Sequence, residues 1–231
     1  MRIVLVRHGQ PDWEPDGRAV DQPELTSRGQ EEARLTAQAL VGERFDGVYA
    51  SPLQRALETA EPIARALGME LKVESWLKEL ALPPMQGKTA EEVEHFFEAA
   101  SLRELDQWWN GFPQGESFRH FYERVSAGIE GLLVDTHRLS VHGDSGHRIW
   151  RIPEADQRLL FIAHEGTNAV ILSHLLGIDP VPWAWMRFSH SWAGITRIHS
   201  TRVASGAVWV LDCFNRIDHL ASLGNSAKPG S

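Results

Sequence analysis

Three stretches of this chain read as a buried β-strand running straight into side chains suited to an anion. They are Ile3-Val4-Leu5-Val6 into Arg7-His8-Gly9, Val48-Tyr49-Ala50 into Ser51-Pro52-Leu53-Gln54-Arg55, and Leu159-Leu160-Phe161-Ile162-Ala163 into His164. In open α/β sheets, ligands sit outside the carboxyl ends of parallel strands, so residues far apart in sequence meet there. The pattern therefore predicts that His8 and His164 converge with Arg7 and Arg55.

The spacing of apolar residues alternates strand and helix periods along the chain. After the first strand, a polar loop over 11–23 leads to a helix opened by Ser27 with Gln30, in capping-box spacing, through about Val41. Helical spacing returns after Pro52 with Leu53, Leu57, Ala60 and Ile63, stopped by Gly68. Leu71 to Val73 is a short strand, Thr89 caps a helix with Val93, Phe96 and Phe97, and Ser117 starts one through Phe121, Val125 and Ile129. Residues 137–157 show no period and read as an irregular insertion punctuated by Gly143, Gly146 and Pro153. A helix over 166–176 and a closing hairpin over 195–211 complete the chain. The expected fold is α/β in three layers, a mostly parallel central sheet with helices on both faces, formed as one domain over 1–231.

The 231 residues suffice for one sizeable core, and 42% hydrophobic with 23% charged residues is ordinary globular composition. A net charge of -8 argues against nucleic acid as partner, which requires clustered basic residues. Cys213 is the only cysteine, so no intrachain disulfide forms and a reducing cytoplasm is the simpler expectation. The first apolar run is interrupted at Arg7 and no later run approaches a membrane span, so no membrane partner is expected.

Histidine and arginine in this arrangement suit phosphoryl transfer. Hydrolysis of phosphate monoesters needs accelerations on the order of 10²¹, beyond what a single acid or base supplies. A neutral imidazole can attack phosphorus and carry the group until water removes it. His8 is the candidate nucleophile, and Arg7 and Arg55 supply forked donors whose field favours the unprotonated ring. His164 stands at a strand-to-helix junction, where a ring donor and the first helical amides can face an anion. Glu79 follows the apolar Trp76-Leu77 and precedes a proline-rich loop, which suits a carboxyl kept protonated to donate to the leaving oxygen.

These residues match a known family. Arg7-His8-Gly9, Leu25-Thr26-Ser27-Arg28-Gly29, Ser51-Pro52-Leu53-Gln54-Arg55-Ala56 with Thr59-Ala60, Leu77-Lys78-Glu79 with Gly87, Gly115-Glu116-Ser117, and Ala163-His164-Glu165-Gly166 occur in an order that resembles the histidine phosphatase superfamily, with its phosphoglycerate-mutase-like fold. The resemblance implies a phosphomonoesterase with His8 phosphorylated, Glu79 as proton donor and Arg7, Arg55 and His164 as phosphate ligands. Gly9, Gln10 and Glu165 are placed beside them as substrate-contacting residues. No cofactor and no metal is implied; the expected partner is a small phosphate ester, and a homodimer stays open.

Departures from the family pattern bear on the site. Glu14 follows Trp13 where members often carry asparagine, Pro83, Met85 and Gln86 alter the loop before Gly87, and Glu165 replaces a frequent glycine. A carboxylate at 165 would repel phosphate unless it points outward. The Glu-Arg-His-Tyr-Gly run of true mutases is absent, which favours hydrolysis over a phosphoglycerate-type mutase; a catalytically weak phosphate-binding scaffold is the other alternative. His137, His142 and His147 recur at five-residue spacing on no common helical face, which argues for a solvated loop over a metal site. Trp108, Trp109, Trp183 and Trp185 either pack or border a pocket, Arg28 decorates its helix, and Asn215 to Leu220 tethers the chain end.

Overall fold

The computed structural model describes residues 1–143, 148–153 and 155–224. In chain order the elements are β1 (Arg2–Arg7), α1 (Ser27–Leu40), β2 (Gly47–Ala50), α2 (Gln54–Leu67), β3 (Leu71–Val73), α3 (Ala90–Ser101), α4 (Phe118–Gly131), β4 (Ser140–His142), β5 (Ile149–Arg151), β6 (Arg158–Ala163), α5 (Glu165–Leu175), β7 (Ile195–Val203) and β8 (Gly206–Arg216). The strands form one sheet in the order β3-β2-β6-β1-β7-β8-β5-β4. This order was not legible in the sequence, and it decides where the site lies.

Pairing is parallel from β3 through β2 and β6 to β1, then antiparallel from β1 through β7, β8 and β5 to β4. The α/β class stands, but the sheet is mixed: the parallel strands and the closing β7–β8 hairpin were anticipated, whereas the antiparallel extension through β5 and β4 was not. The antiparallel half follows from connection length. Val203 pairs with Gly206 across a two-residue turn, and so short a link permits only a hairpin.

Alternation along the strands makes three layers. Val4, Val6, Val48, Ala50, Leu160 and Ile162 pack on Ala37 and Leu40 of α1 and Ala60, Ile63 and Ala64 of α2. Ile3, Leu5, Tyr49, Leu159, Phe161 and Ala163 face the other way, onto Phe121, Val125 and Ile129 of α4 and Val170, Ile171 and Leu172 of α5. All residues of α5 after Glu165 are buried, so it shows no amphipathic stripe.

Helix starts follow local chemistry. The cap of α1 is Thr26, whose side chain accepts from the Gly29 amide, one residue earlier than the expected Ser27. Thr89 and Glu92 close a full capping box on α3, Ser117 accepts from the His120 amide, and Gly68 ends α2 with φ of 65°.

Within 137–157, expected to be irregular, β4 and β5 pair as a hairpin that joins β8 at Trp150 and Ala207. Strands of three residues leave too little alternation to register in the sequence. His137 is no solvated residue: it is buried, with the Tyr49 hydroxyl 2.8 Å from Nε2 and Gln157 Oε1 2.6 Å from Nδ1. His147 and the Trp185 side chain lie outside the described residues. Trp108 packs on Phe118, and the Arg119 guanidinium covers the Trp109 ring at 4.7 Å, so both tryptophans join α4 to the segment before it. Among the described residues no helix is long and apolar enough to cross a membrane.

Candidate active site

The register brings the three strand ends together. Arg7 stands opposite Ala163 and Ala50 opposite Ile162, so the residues that leave β1, β6 and β2 are lateral neighbours. The His8 and His164 rings lie 5.1 Å apart at 60°, and they are 3% and 0% exposed. Residues 156 positions apart thus share one cup.

The hydrogen bonds of His8 fix which nitrogen is reactive. Nδ1 is 2.7 Å from its only neighbouring acceptor, the Gly9 carbonyl, which requires a proton on Nδ1. Nε2 in turn accepts from Arg55 Nε at 3.2 Å, so it carries the lone pair. Burial holds the ring well below the usual imidazole range, and the charges of Arg55 and Arg7 push it further the same way. The ring is neutral at physiological pH, as a nucleophile must be. Thr59 completes this corner by accepting from the Gly9 amide at 3.0 Å.

His164 is arranged as a donor. Its Nε2 is 2.8 Å from the Ser51 hydroxyl, which itself accepts from the Leu53 amide and so has its proton free for the ring. With that proton directed to Nε2, the ring carries its own proton on Nδ1, which is buried with no partner among the described residues. A transferring phosphate oxygen would supply the missing acceptor. Burial, then Arg55, keeps this ring neutral also.

The guanidiniums flank the rings. Arg55 donates through Nε to His8, lies over the Trp13 ring at 5.0 Å, and is lowered to about 10 by burial. Arg7 donates through Nη1 to the His190 carbonyl and to Glu165 Oε2, the latter at 2.9 Å, while its Nε is buried with no partner among the described residues. Glu165 points to Arg7 rather than outward, so its charge is met by a cation within the cup.

Glu79 lies at the same end of the sheet. Gly166, in the first turn of α5, donates its amide to Glu79 Oε2 at 2.9 Å, and Leu80 donates to Oε1 at 3.0 Å. The helical amide expected to face phosphate is therefore committed to the carboxyl. Burial raises Glu79 above the ordinary carboxyl range despite these bonds and the opposing pull of Arg55 and Arg7. A carboxyl held this way can carry a proton to a leaving oxygen.

Gly9 and Gln10 also hold the shape of the loop after β1. A Cβ on Gly9 would stand 2.5 Å from the Gly29 carbonyl oxygen, and one on Gly29 would stand 2.2 Å from the Gln10 carbonyl oxygen. Gln10 Oε1 accepts from the Thr26 hydroxyl, and the Gln10 backbone N–H donates to Glu32 Oε2. Arg28 stays out of the cup; it binds Glu32 and the carbonyls of Leu223 and Gly224. The last described residues are tethered there and by His219, whose Nε2 is 3.1 Å from the Thr36 hydroxyl. Glu14 is exposed and its side chain has no partner among the described residues.

Sequence reasoning missed the supports. Glu116, noted in the sequence only within the Gly115-Glu116-Ser117 run, accepts from Nε and Nη2 of Arg124, which also binds the carbonyls of Trp76, Lys78 and Glu79. Glu116 and Ala81 exchange two further bonds, so the loop carrying Glu79 is clamped to α4. His190, whose backbone joins Arg7 to Glu165, had no sequence signal beyond its polarity.

The histidine phosphatase superfamily, branch 1, matches residues 3–212, and the chain belongs to it. Phosphoserine phosphatase 1 of Hydrogenobacter thermophilus is 30% identical over 182 residues, 78% of each protein. The probable phosphoglycerate mutase GpmB of Photorhabdus laumondii is 26% identical over 224 residues, 95% of each. The vanadate complex of mycobacterial glucosyl-3-phosphoglycerate phosphatase superposes with a TM-score of 0.71 at 24% identity, covering 93% of this chain and 98% of that one. The family match and the phosphatase relative at 30% identity together make the chain a histidine phosphatase, an enzyme of the phosphoric monoester hydrolase class.

Proposed function

We propose that the enzyme hydrolyses a small-molecule phosphate ester through a phosphohistidine on His8, without a metal. The observation that carries this reading is the hydrogen bonding of the two rings: His8 Nε2 accepts from Arg55 while Nδ1 faces the Gly9 carbonyl, and the His164 ring opposite has a buried Nδ1 with no partner among the described residues. Nε2 attacks phosphorus as the ester P–O bond breaks, and the Glu79 carboxyl gives its proton to the departing alkoxide. Water then attacks the phosphorus, Glu79 takes the proton back, and the P–N bond breaks to release phosphate and restore His8. Arg7, Arg55 and His164 Nδ1 stay on the transferring oxygens through both steps, the service a metal performs elsewhere. The lone Cys213 supports a cytoplasmic setting.

Acid-quenched turnover of a phosphorus-labelled ester tests the intermediate: label that maps to His8 and is lost in acid supports it, and stable label elsewhere refutes it. The likeness to probable mutases favours one rival, transfer of phosphate between two positions of a sugar acid. Inorganic phosphate released in proportion to substrate consumed supports hydrolysis, whereas isomerised product without phosphate release supports transfer.

A further inference from the structure

Glu165 is an anomaly in a cup built for anions, and its contacts explain why it is tolerated there. Its Oε2 is 2.9 Å from Arg7 Nη1, and its Oε1 accepts from the His190 amide at 3.1 Å. The same Nη1 donates to the His190 carbonyl, so Glu165, His190 and Arg7 close a ring of three bonds around one corner of the guanidinium. The Trp192 ring lies 5.9 Å from the Arg7 guanidinium carbon. His190 is itself held: its ring meets Phe214 at 4.8 Å, and Nδ1 is 3.1 Å from the Phe188 carbonyl. A guanidinium has five N–H donors in a rigid plane, so fixing Nη1 fixes the direction of the rest. Among the described residues Nε is buried with no partner, and the bonds of the side chain run through Nη1.

We propose that Glu165 is the positioning residue for Arg7: with the His190 backbone it takes Nη1 and presents the other donors of the guanidinium to phosphate. Glu165 itself does not touch the substrate. The carboxylate that would repel phosphate from a free position strengthens phosphate binding from this one, because an anchored arginine loses less freedom when the anion arrives. This inference rests on the cup being the phosphate site, although not on the covalent step.

The test measures binding of inorganic phosphate by calorimetry, which needs no turnover, to the full chain and to the Glu165→Ala, Glu165→Gln, Arg7→Ala and Arg7→Ala/Glu165→Ala variants. Glu165→Ala is expected to weaken phosphate binding by about tenfold. Glu165→Gln, which keeps one carbonyl acceptor, is expected to recover part of that loss. In the Arg7→Ala background, adding Glu165→Ala is expected to change affinity by less than about twofold, because the residue it acts through is gone. A merely structural role would cost the same in both backgrounds. Tighter phosphate binding in either single Glu165 variant would show that the carboxylate repels, and an equal loss with and without Arg7 would show that it acts by another route; each overturns the proposal alone. Wild-type protein that fails to bind phosphate overturns the phosphate cup together with this inference, whereas absence of label on His8 with binding intact overturns only the covalent mechanism.

Discussion

Arg55 Nε donates to His8 Nε2 across 3.2 Å, so the arginine that is to hold phosphate also rests on the lone pair that is to attack it. An incoming phosphate oxygen can take that donor over and free the lone pair for phosphorus. The same arginine is, after burial, the largest cause of the depressed His8 titration. Removing its charge makes protonation of His8 easier, so the pH below which the nucleophile is lost moves upward. Arg55→Ala is expected to raise the His8 titration midpoint, read by nitrogen-15 resonance of Nε2, while burial keeps it below the free imidazole value. Arg55→Lys keeps the charge and loses the fork; kcat/KM is expected to fall by roughly a hundredfold or more with little movement of the midpoint. A midpoint unmoved in Arg55→Ala contradicts the electrostatic role.

Glu79 must be protonated when the leaving group departs, and burial raises it toward that state. Activity limited by its proton falls as pH rises through that raised value, so an alkaline limb lies above the ordinary carboxyl range. Glu79→Gln cannot donate a proton by ionisation, and kcat on an alkyl phosphate is expected to fall by about 10² to 10⁴ with that limb abolished. An aryl phosphate leaves as a weakly basic phenolate, so it is expected to lose far less. Equal losses on both esters would remove Glu79 from the role of acid.

Gly166 permits the carboxyl to sit where it does, because a Cβ there would stand 2.7 Å from Glu79 Oε1. Gly166→Ala must displace Glu79 or the first turn of α5. The expected result is a fall in kcat of about tenfold or more on an alkyl phosphate, with phosphate affinity nearly unchanged, since the three atoms nearest the added methyl all belong to Glu79. A stability cost of about 1–3 kcal/mol is expected from overpacking, measured by denaturant titration. If phosphate affinity falls as far as kcat, the strain has reached the cup and the separation of roles is wrong.

The strands that carry the cup were legible because Ile3 to Val6 and Leu159 to Ala163 are unbroken apolar runs, as buried parallel strands must be. Arg7, His8, Arg55 and His164 were legible for the same reason, since each directly follows or closely trails such a run. Strand order was hidden because β2-β6-β1 adjacency is a choice among right-handed crossovers that local periodicity does not record. The β4 and β5 hairpin was hidden by its brevity. The hold on Glu79 was hidden most deeply: Arg124 is one charged residue on an amphipathic helix until folding places it against Glu116 and three carbonyls.

Gly29 offers the clearest separation of fold from chemistry, because it lies in a family motif yet its closest contacts are with the backbone of Gln10. The loop after β1 and the first turn of α1 meet backbone to backbone there. A methyl group on Gly29 would stand 2.2 Å from the Gln10 carbonyl oxygen and 2.9 Å from its amide nitrogen, neither of which can rotate aside as a side chain could. Thr26 caps α1 and binds the Gln10 side chain, so the displaced loop also strains the helix start. Gly29→Ala is therefore expected to cost at least about 1–3 kcal/mol in unfolding free energy, by denaturant titration. It is expected to lower activity by shifting His8 and Gly9 together, with the fall in kcat larger on raising temperature as the folded fraction declines. A variant of wild-type stability would mean that the loop yields easily, and that the glycine serves something other than this contact.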